Sequence, residues 1–317
     1  MSKNNLFRAC QRWRVDEARV SVIIPAYQAA GTIGRALRSV ALQTLSPLEI
    51  IVVDDGSNDG TAEVVQSMRN GLEGINLIVF RQENLGAGAA RNRAIIKSSG
   101  SLLAFLDADD EWLPEKLERS VAELDNGDFS LVAHNSWIVN GGKQLLNDCA
   151  ERFKAPGDPY VNLYRRGYID TCTVVVKRDR VFAVSGFDET LLSAQDFDLW
   201  LAILKDPEEK FLVFEEVLSR YYVTPGSIMS FTERRRTCAL RIAIRYVPIL
   251  KKRGIGWLSA LVFRVFAIHY EAIYSNWETR RFHFVVLTIF TFSISLVKAL
   301  ILGIKKDYRR PQTLESD

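Results

Sequence analysis

Apolar positions in the first third of the chain follow two periods in turn. Val20-Ser-Val-Ile-Ile24 is a β-rich run that stops at Pro25. From Thr32 to Leu42 the apolar residues Ile33, Leu37 and Val40 recur at helical spacing. Glu49-Ile-Ile-Val-Val53 is a second continuous run, closed by Asp54-Asp55-Gly56-Ser57. Thr61 to Met68 reads as a short helix, Asn76 to Phe80 as a third strand, Ala89 to Ser98 as a helix and Leu102 to Leu106 as a fourth strand. Unbroken apolar strands separated by helices suit a parallel sheet covered on both faces. The pattern therefore predicts an α/β fold, with a mostly parallel central sheet flanked by helices.

Ligands of such folds bind at the carboxyl ends of the strands. Here those ends are polar: Pro25-Ala26-Tyr27, Asp54-Asp55, and Asp107-Ala108-Asp109-Asp110. Past Trp112, Leu113-Pro114-Glu115 predicts a helix start with Pro in the first turn. Segments 128–140 and 169–177 read as further strands, Gly186-Phe187-Asp188 as a turn, and Ala194 to Leu201 as a helix with acids in its first turn. No internal repeat is present.

The last segment differs in kind. Residues 282–304 are 23 largely apolar residues with one Lys and one His, flanked by Arg280-Arg281 and Lys305-Lys306. A bilayer-spanning helix needs about 20 such residues, so the segment suits either a span or a helix lying in the membrane interface. Residues 255–268 form a second apolar stretch broken by Arg264, closer to an interfacial helix than to a span.

Charge sharpens this division. Residues 1–232 hold 25 basic against 32 acidic side chains, whereas residues 233–317 hold 16 against 6. A basic tail suits nucleic acid or an anionic membrane. The basic residues interleave with long apolar stretches rather than with stacking aromatics, which favours the membrane over nucleic acid. The first 19 residues carry five cations and no apolar run of signal-peptide length follows, so the body is expected to remain cytoplasmic. Four dispersed Cys and three His exclude a disulfide scaffold and a His-rich metal centre.

Asp107 and Asp109, at i and i+2 after a buried strand, can hold a hard divalent cation through oxygen. The competing explanation is favourable helix-dipole placement before Pro114. Asp54-Asp55-Gly-Ser-Asn-Asp-Gly-Thr lacks calcium-loop spacing, and Gly86-Ala-Gly88 lacks a full dinucleotide fingerprint. Asp196 and Asp198 offer a carboxylate for general-base work, or simply a helix N-terminus with its usual acids.

Taken in order, Pro25-Ala-Tyr27, Glu49 to Ser57, Asn84-Leu-Gly-Ala-Gly-Ala-Ala-Arg-Asn92, Phe105-Leu-Asp-Ala-Asp-Asp110 and Gln195-Asp-Phe-Asp-Leu-Trp200 resemble a non-processive family 2 glycosyltransferase with a GT-A fold. The resemblance spans residues 18–230. It implies an inverting enzyme that moves one sugar from a nucleotide-sugar, a UDP-sugar being favoured, to an acceptor hydroxyl. It assigns Pro25, Ala26, Tyr27 and Asp55 to the base, Arg91, Asp107 and Ala108 to the nucleotide-sugar, and Asp109 with Asp107 to a Mn²⁺ or Mg²⁺ ion. Asp196 matches the base, and Asp198 would support it.

Two departures stand out. Gln195 replaces the family's usual Glu, and Thr224 in Tyr221-Tyr-Val-Thr-Pro-Gly-Ser227 stands where many members have His. They leave open an alternative, a catalytically silent nucleotide-sugar-binding subunit of a membrane glycan-assembly complex. A nucleotidyltransferase is disfavoured, because Pro25–Gly31 holds no Lys or Arg. The expected organisation is an extension at 1–17, a GT-A domain at 18–232 and a membrane-associating tail at 233–317. The acceptor would be a glycan or lipid-linked saccharide, met at the cytoplasmic face of the membrane in envelope or exopolysaccharide assembly.

Overall fold

In a computed structural model, the structure describes residues 19–167, 169–224, 231–254, 256–305 and 309–314. The expected extension at 1–17, Pro225–Ser227 and Lys306 lie outside the described residues.

Among the described residues nine strands form one sheet. β1 (Val20–Ala26), β2 (Glu49–Asp54), β3 (Asn76–Arg81) and β4 (Leu102–Phe105) are parallel, in the order β3-β2-β1-β4. Helices α1 (Ile33–Ala41), α2 (Thr61–Ser67) and α3 (Ala87–Lys97) connect them. Alternate residues of each strand enter two separate cores. Val22, Ile24, Ile50 and Val52 face α1, whose Ile33, Leu37 and Val40 are fully buried. Ile23, Ile51, Val53 and Phe105 face α3. Each such aliphatic side chain contributes roughly 1.5–3 kcal/mol by leaving water.

The remaining sheet is mixed. Beyond β4 come β8 (Val175–Lys177), β6 (Leu131–Asn140), β9 (Phe211–Tyr222) and β5 (Glu111–Trp112), with β7 (Lys143–Asn147) on the side of β6. β8 is antiparallel to both β4 and β6, whereas β6 and β9 run parallel. The strand expected at 169–177 is shorter than its apolar run. Thr171–Thr173 form a 3₁₀ turn, because Asp170 C=O accepts both the Thr173 N–H and the Thr173 hydroxyl. Helix α4 (Lys116–Gly127) starts two residues after Pro114, whose carbonyl accepts the Thr44 N–H instead.

The second core continues without a break into the C-terminal helices. α5 (Pro159–Arg166), α6 (Arg178–Ala183) and α7 (Gln195–Ile203) are followed by α8 (Thr232–Arg245), α9 (Val247–Lys252), α10 (Trp257–Glu278) and α11 (Phe282–Lys305). Ile242, Tyr246, Leu261, Val265 and Ala299 pack in the same cluster as Phe105 and Trp200. After α11 the chain returns to the body. Leu314 is buried against Gly186, the Thr313 hydroxyl donates to Ser185 and Phe187 carbonyls, and Arg310 donates to Asp198 and to the Val184 and Gly186 carbonyls.

Candidate active site

Parallel register brings the carboxyl ends of the first strands together: Ala26 pairs with Asp54, and Ile23 with Phe105, two residues before Asp107. The loop after β1 is held by side chains of the loop after β2. Gln28 N–H donates to Ser57 Oγ at 2.9 Å, Ala29 N–H to Thr61 Oγ1 at 2.9 Å and Ala30 N–H to Asp59 Oδ2 at 3.0 Å. Ala26 is buried and Pro25 half-buried, while Tyr27 stands 53% exposed at the mouth.

Asp55 is buried, and its carboxylate accepts from Gln82 Nε2 (2.8 Å), Leu85 N (2.9 Å) and Gly86 N (2.8 Å). It therefore shapes the wall formed by the loop into α3. An ionised carboxylate offers about four acceptor positions, so one remains for a ligand donor.

Helix α3 is the hub. Gly88 lies so close to Gln195 that a Cβ there would meet Gln195 Nε2 at 2.8 Å. One turn on, Arg91 is buried and donates to Asp107 Oδ1, with its guanidinium 5.3 Å from the centre of the Phe187 ring. Asn92 holds the Gly186–Glu189 turn, accepting from Phe187 N–H (2.8 Å) and donating to Phe187 C=O (2.9 Å) and Glu189 Oε1 (2.8 Å). Gly186 has φ +66, and a Cβ there would strike Asn92 Oδ1 at 2.5 Å.

The acidic rim is crowded. Burial, and then the neighbouring Asp107 carboxylate, push Asp109 above its ordinary pKa, against a hydrogen bond with Thr224. Asp110 is fully buried and pushed well above its usual range by burial, then by Asp107 and Asp109. Its Oδ1 accepts Tyr222 N–H at 3.0 Å, and its Oδ2 has no hydrogen-bond partner. Ala108 is buried between the two carboxylates. Arg35 donates to the Asp109 carbonyl and stacks 3.7 Å over Tyr222. Among the described residues no group of three or more His, Cys, Asp and Glu forms a closed metal cage. Asp107 and Asp109 instead fit an open oxygen site, the kind Mg²⁺ occupies with one or two carboxylates plus phosphate oxygens. Burial first, and then the Asp107 charge, disfavour an ionised Asp109, and a bound cation would offset both.

Asp196 opens α7. Its Oδ1 accepts Phe197 N–H at 2.8 Å and its Oδ2 accepts the Thr171 hydroxyl at 3.0 Å. Burial raises its pKa, only partly offset by Phe197 N–H, Arg91 and Thr171. A carboxylate at a helix N-terminus with a raised pKa can take a proton from a hydroxyl. Gln195, which stands in place of the family's usual Glu, donates to Leu191 C=O and packs its amide against Gly88 of α3. Thr224 makes a side-chain hydrogen bond with Asp109.

Asp198 points the other way, into the core. It is fully buried and accepts from Arg245 Nη1 (2.6 Å) and Arg310 Nε (2.7 Å), while Arg245 Nη2 binds Asp188 at 2.7 Å. Thr171, Arg245 and Arg310 were not legible as site neighbours. Asn92 closed a quoted motif, which was its only signal.

Comparison with known proteins decides the family. A model described as "Glycosyl transferase family 2" matches residues 21–178. The chain is 32% identical over 225 residues to a UDP-Glc:alpha-D-GlcNAc-diphosphoundecaprenol beta-1,3-glucosyltransferase, WfgD, of Escherichia coli, covering 70% of this chain and 85% of that one. The chain belongs to glycosyltransferase family 2. As a family 2 glycosyltransferase it shares its fold with S. aureus TarS 1-349 in complex with UDP-GlcNAc, at a TM-score of 0.61, 21% identity, 92% of this chain and 93% of that one. It also resembles the mannosyltransferase PcManGT of Pyrobaculum calidifontis in complex with GDP-Man and Mn²⁺, at a TM-score of 0.57, 19% identity, 96% of this chain and 95% of that one. The GT-A expectation thus holds, and the family 2 glycosyltransferase carries its clustered carboxylates at the rim where such folds bind ligands.

Proposed function

We propose that this glycosyltransferase moves one sugar, with inversion, from a UDP-sugar to a hydroxyl of a lipid-linked saccharide in cell-envelope or exopolysaccharide assembly. Residues 18–232 carry the transfer, and residues 233–317 attach the protein to the cytoplasmic face of the membrane. The observation that carries this reading is the convergence of Asp107, Asp109, Arg91 and Asp196 on one rim. The donor and acceptor classes are supported by the printed activity of the E. coli relative.

The base of the nucleotide lies in the pocket walled by Pro25, Ala26, Tyr27 and Asp55. Arg91, fixed by Asp107, faces the nucleotide-sugar alongside Ala108. Asp107 and Asp109 would hold Mn²⁺ or Mg²⁺, which when bound neutralises the charge developing on the diphosphate. Asp196 takes the proton of the acceptor hydroxyl. The acceptor oxygen then bonds to the anomeric carbon opposite the leaving group, and the electron pair of the broken C–O bond departs with the nucleoside diphosphate. Thr171 and the Phe197 N–H orient the Asp196 carboxylate for that proton.

The test is a thermal-shift series on the full chain with UDP, GDP, dTDP and CMP, with and without Mn²⁺. Ligand binding to the native state raises the melting temperature. A Mn²⁺-dependent shift for UDP, lost in Asp109→Asn, is the expected result. A shift confined to another nucleotide overturns the donor, and no shift with any of them overturns the transferase site.

A further inference from the structure

The last two long helices present apolar side chains outward as well as to the core. On α10 the polar residues Arg264, His269 and Asn276 are buried toward the body, whereas Phe263, Phe266 and Tyr270 are exposed. On α11 the exposed face carries Phe290, Ile294 and Ile301. The two helices are locked as a pair, with Phe266 and His269 packing edge-on to Phe292 and Trp277 to Phe282. An apolar surface continuous over two helices marks an interaction site.

α11 is long and apolar enough to cross a membrane, but its neighbours argue against crossing. Its first turn follows Arg281, whose N–H donates to Asn276 C=O, and Asn276 in turn donates to Glu233 at the start of α8. Its last turn is held by Lys251, which donates to Gly303 C=O. Residues beyond it return to the body, where Arg310 joins Asp198. The first turn of α11 is thus tied to α8 and α10 and its last to α9, and the chain beyond it returns to the body. α8, which lies alongside, carries Glu233, Arg234, Arg235, Arg236 and Arg241. A crossing α11 would draw those charges to the same depth, where each is costly.

Charge names the occupant of the outer face. Arg280 and Arg281 sit exposed at the turn between the helices, beside Glu278, and Lys252 is exposed near the other end. Along one side Arg165 stacks 5.9 Å from the Phe263 ring centre. Lys298 is an exposed cation on the α11 face, with a stem long enough to reach headgroups. Cations bordering an apolar, aromatic-rich face suit an anionic bilayer surface.

We propose that α10 and α11 form a two-helix pad seated in one leaflet of an anionic membrane, with α11 in the plane rather than across it. This rests on the membrane attachment proposed above and specifies its geometry.

The full chain, diluted from detergent onto preformed vesicles, tests it. Phosphatidylcholine–phosphatidylglycerol vesicles should float the protein, and pure phosphatidylcholine or high salt should weaken flotation. In Arg309→Cys, beyond the end of α11, a membrane-impermeant maleimide added outside should label that residue equally before and after detergent, as counted by peptide mass, because a crossing α11 would carry it to the far side. The double variant Phe290→Glu/Ile294→Glu should float about tenfold less, with unchanged melting and circular dichroism. No flotation of the wild type overturns membrane attachment itself. Flotation with position 309 protected until detergent is added overturns the in-plane seat and leaves attachment standing. A vesicle-free dimer that the double variant dissociates assigns the face to a second copy and overturns the pad.

Discussion

The rim of the parallel half-sheet and the C-terminal helix pair solve opposite solvation problems. At the rim, carboxylates gather at strand ends that open to water, and each is managed by a named donor: Gly86 and Leu85 for Asp55, Arg91 for Asp107, Thr171 for Asp196. In the helix pair apolar residues lie on both sides: Leu261, Val265 and Ala299 face the core, with Arg264, His269 and Asn276 buried among them, and Phe290, Ile294 and Ile301 face outward. The rim selects a charged ligand by placing few groups with care. The proposed pad would need no such placement, because burial in lipid depends on area rather than direction. The two regions should therefore respond differently to substitution.

The largest effect is expected at the rim. Asp196→Asn should lower transfer by about 10²–10⁴-fold in a steady-state assay while nucleotide-induced thermal shifts persist. A base acts deprotonated, and burial raises the Asp196 pKa. The acid limb of the rate profile should thus lie above the ordinary 3.8 of an aspartate, with activity lost as pH falls through it. A wild-type rate in Asp196→Asn would remove the base from the rim.

Next comes the junction of the two regions. Arg310→Ala strips one of two cations from buried Asp198 and should cost up to about 3–5 kcal/mol in denaturant unfolding. Arg310→Lys should recover only part, since it lacks the planar fork that also reaches Val184 and Gly186. An unchanged midpoint would mean the tail adds nothing to the body.

A smaller loss is expected at the opposite edge of the parallel strands. Buried Glu49 accepts from Ser21 (2.6 Å) and from Ser99 N–H (2.7 Å) and hydroxyl (2.9 Å). Burial alone would raise its carboxyl, but these bonds prevail and hold it below 4.5. Its stabilisation is thus present above the unfolded pKa and lost as pH falls through the folded one. Glu49→Gln should cost about 1.5–3 kcal/mol at neutral pH and flatten that acid dependence. Identical acid-unfolding curves would show the charge is immaterial.

The smallest contrast lies within α10. Val265 is fully buried and Val262 is 37% exposed. Val265→Ala should cost about 1.5–2 kcal/mol, and Val262→Ala should stay within about 0.5 kcal/mol. Equal losses would mean that the outer face is covered within the protein rather than by lipid.

The legible parts of the molecule were those where local pattern and tertiary role coincide. Ile23 and Ile24 enter different cores, yet both are apolar, so β1 announces itself as a doubly covered strand. Asp55, Asp107 and Asp196 lie at element ends that the pattern itself marks. β9 was not read: its Phe-Leu-Val-Phe-Glu-Glu sequence lacks strict alternation, and its pairing with β6 depends on distant contacts. Thr171 reaches Asp196 only because a 3₁₀ turn interrupts an apolar run. The length and apolarity of α11 were plain, but which side faced outward depended on α8 and α10, and the single sequence does not encode that choice locally.

The return of the tail to Asp198 also orders events during synthesis. Arg310 follows Asp198 by 112 residues. At about 5–20 residues per second it is polymerised roughly 6–22 s later. Arg245, which follows Asp198 by 47 residues, is available to the buried carboxylate first. The ion network behind α7, the helix that carries Asp196, is therefore completed last, only after α10 and α11 have been polymerised.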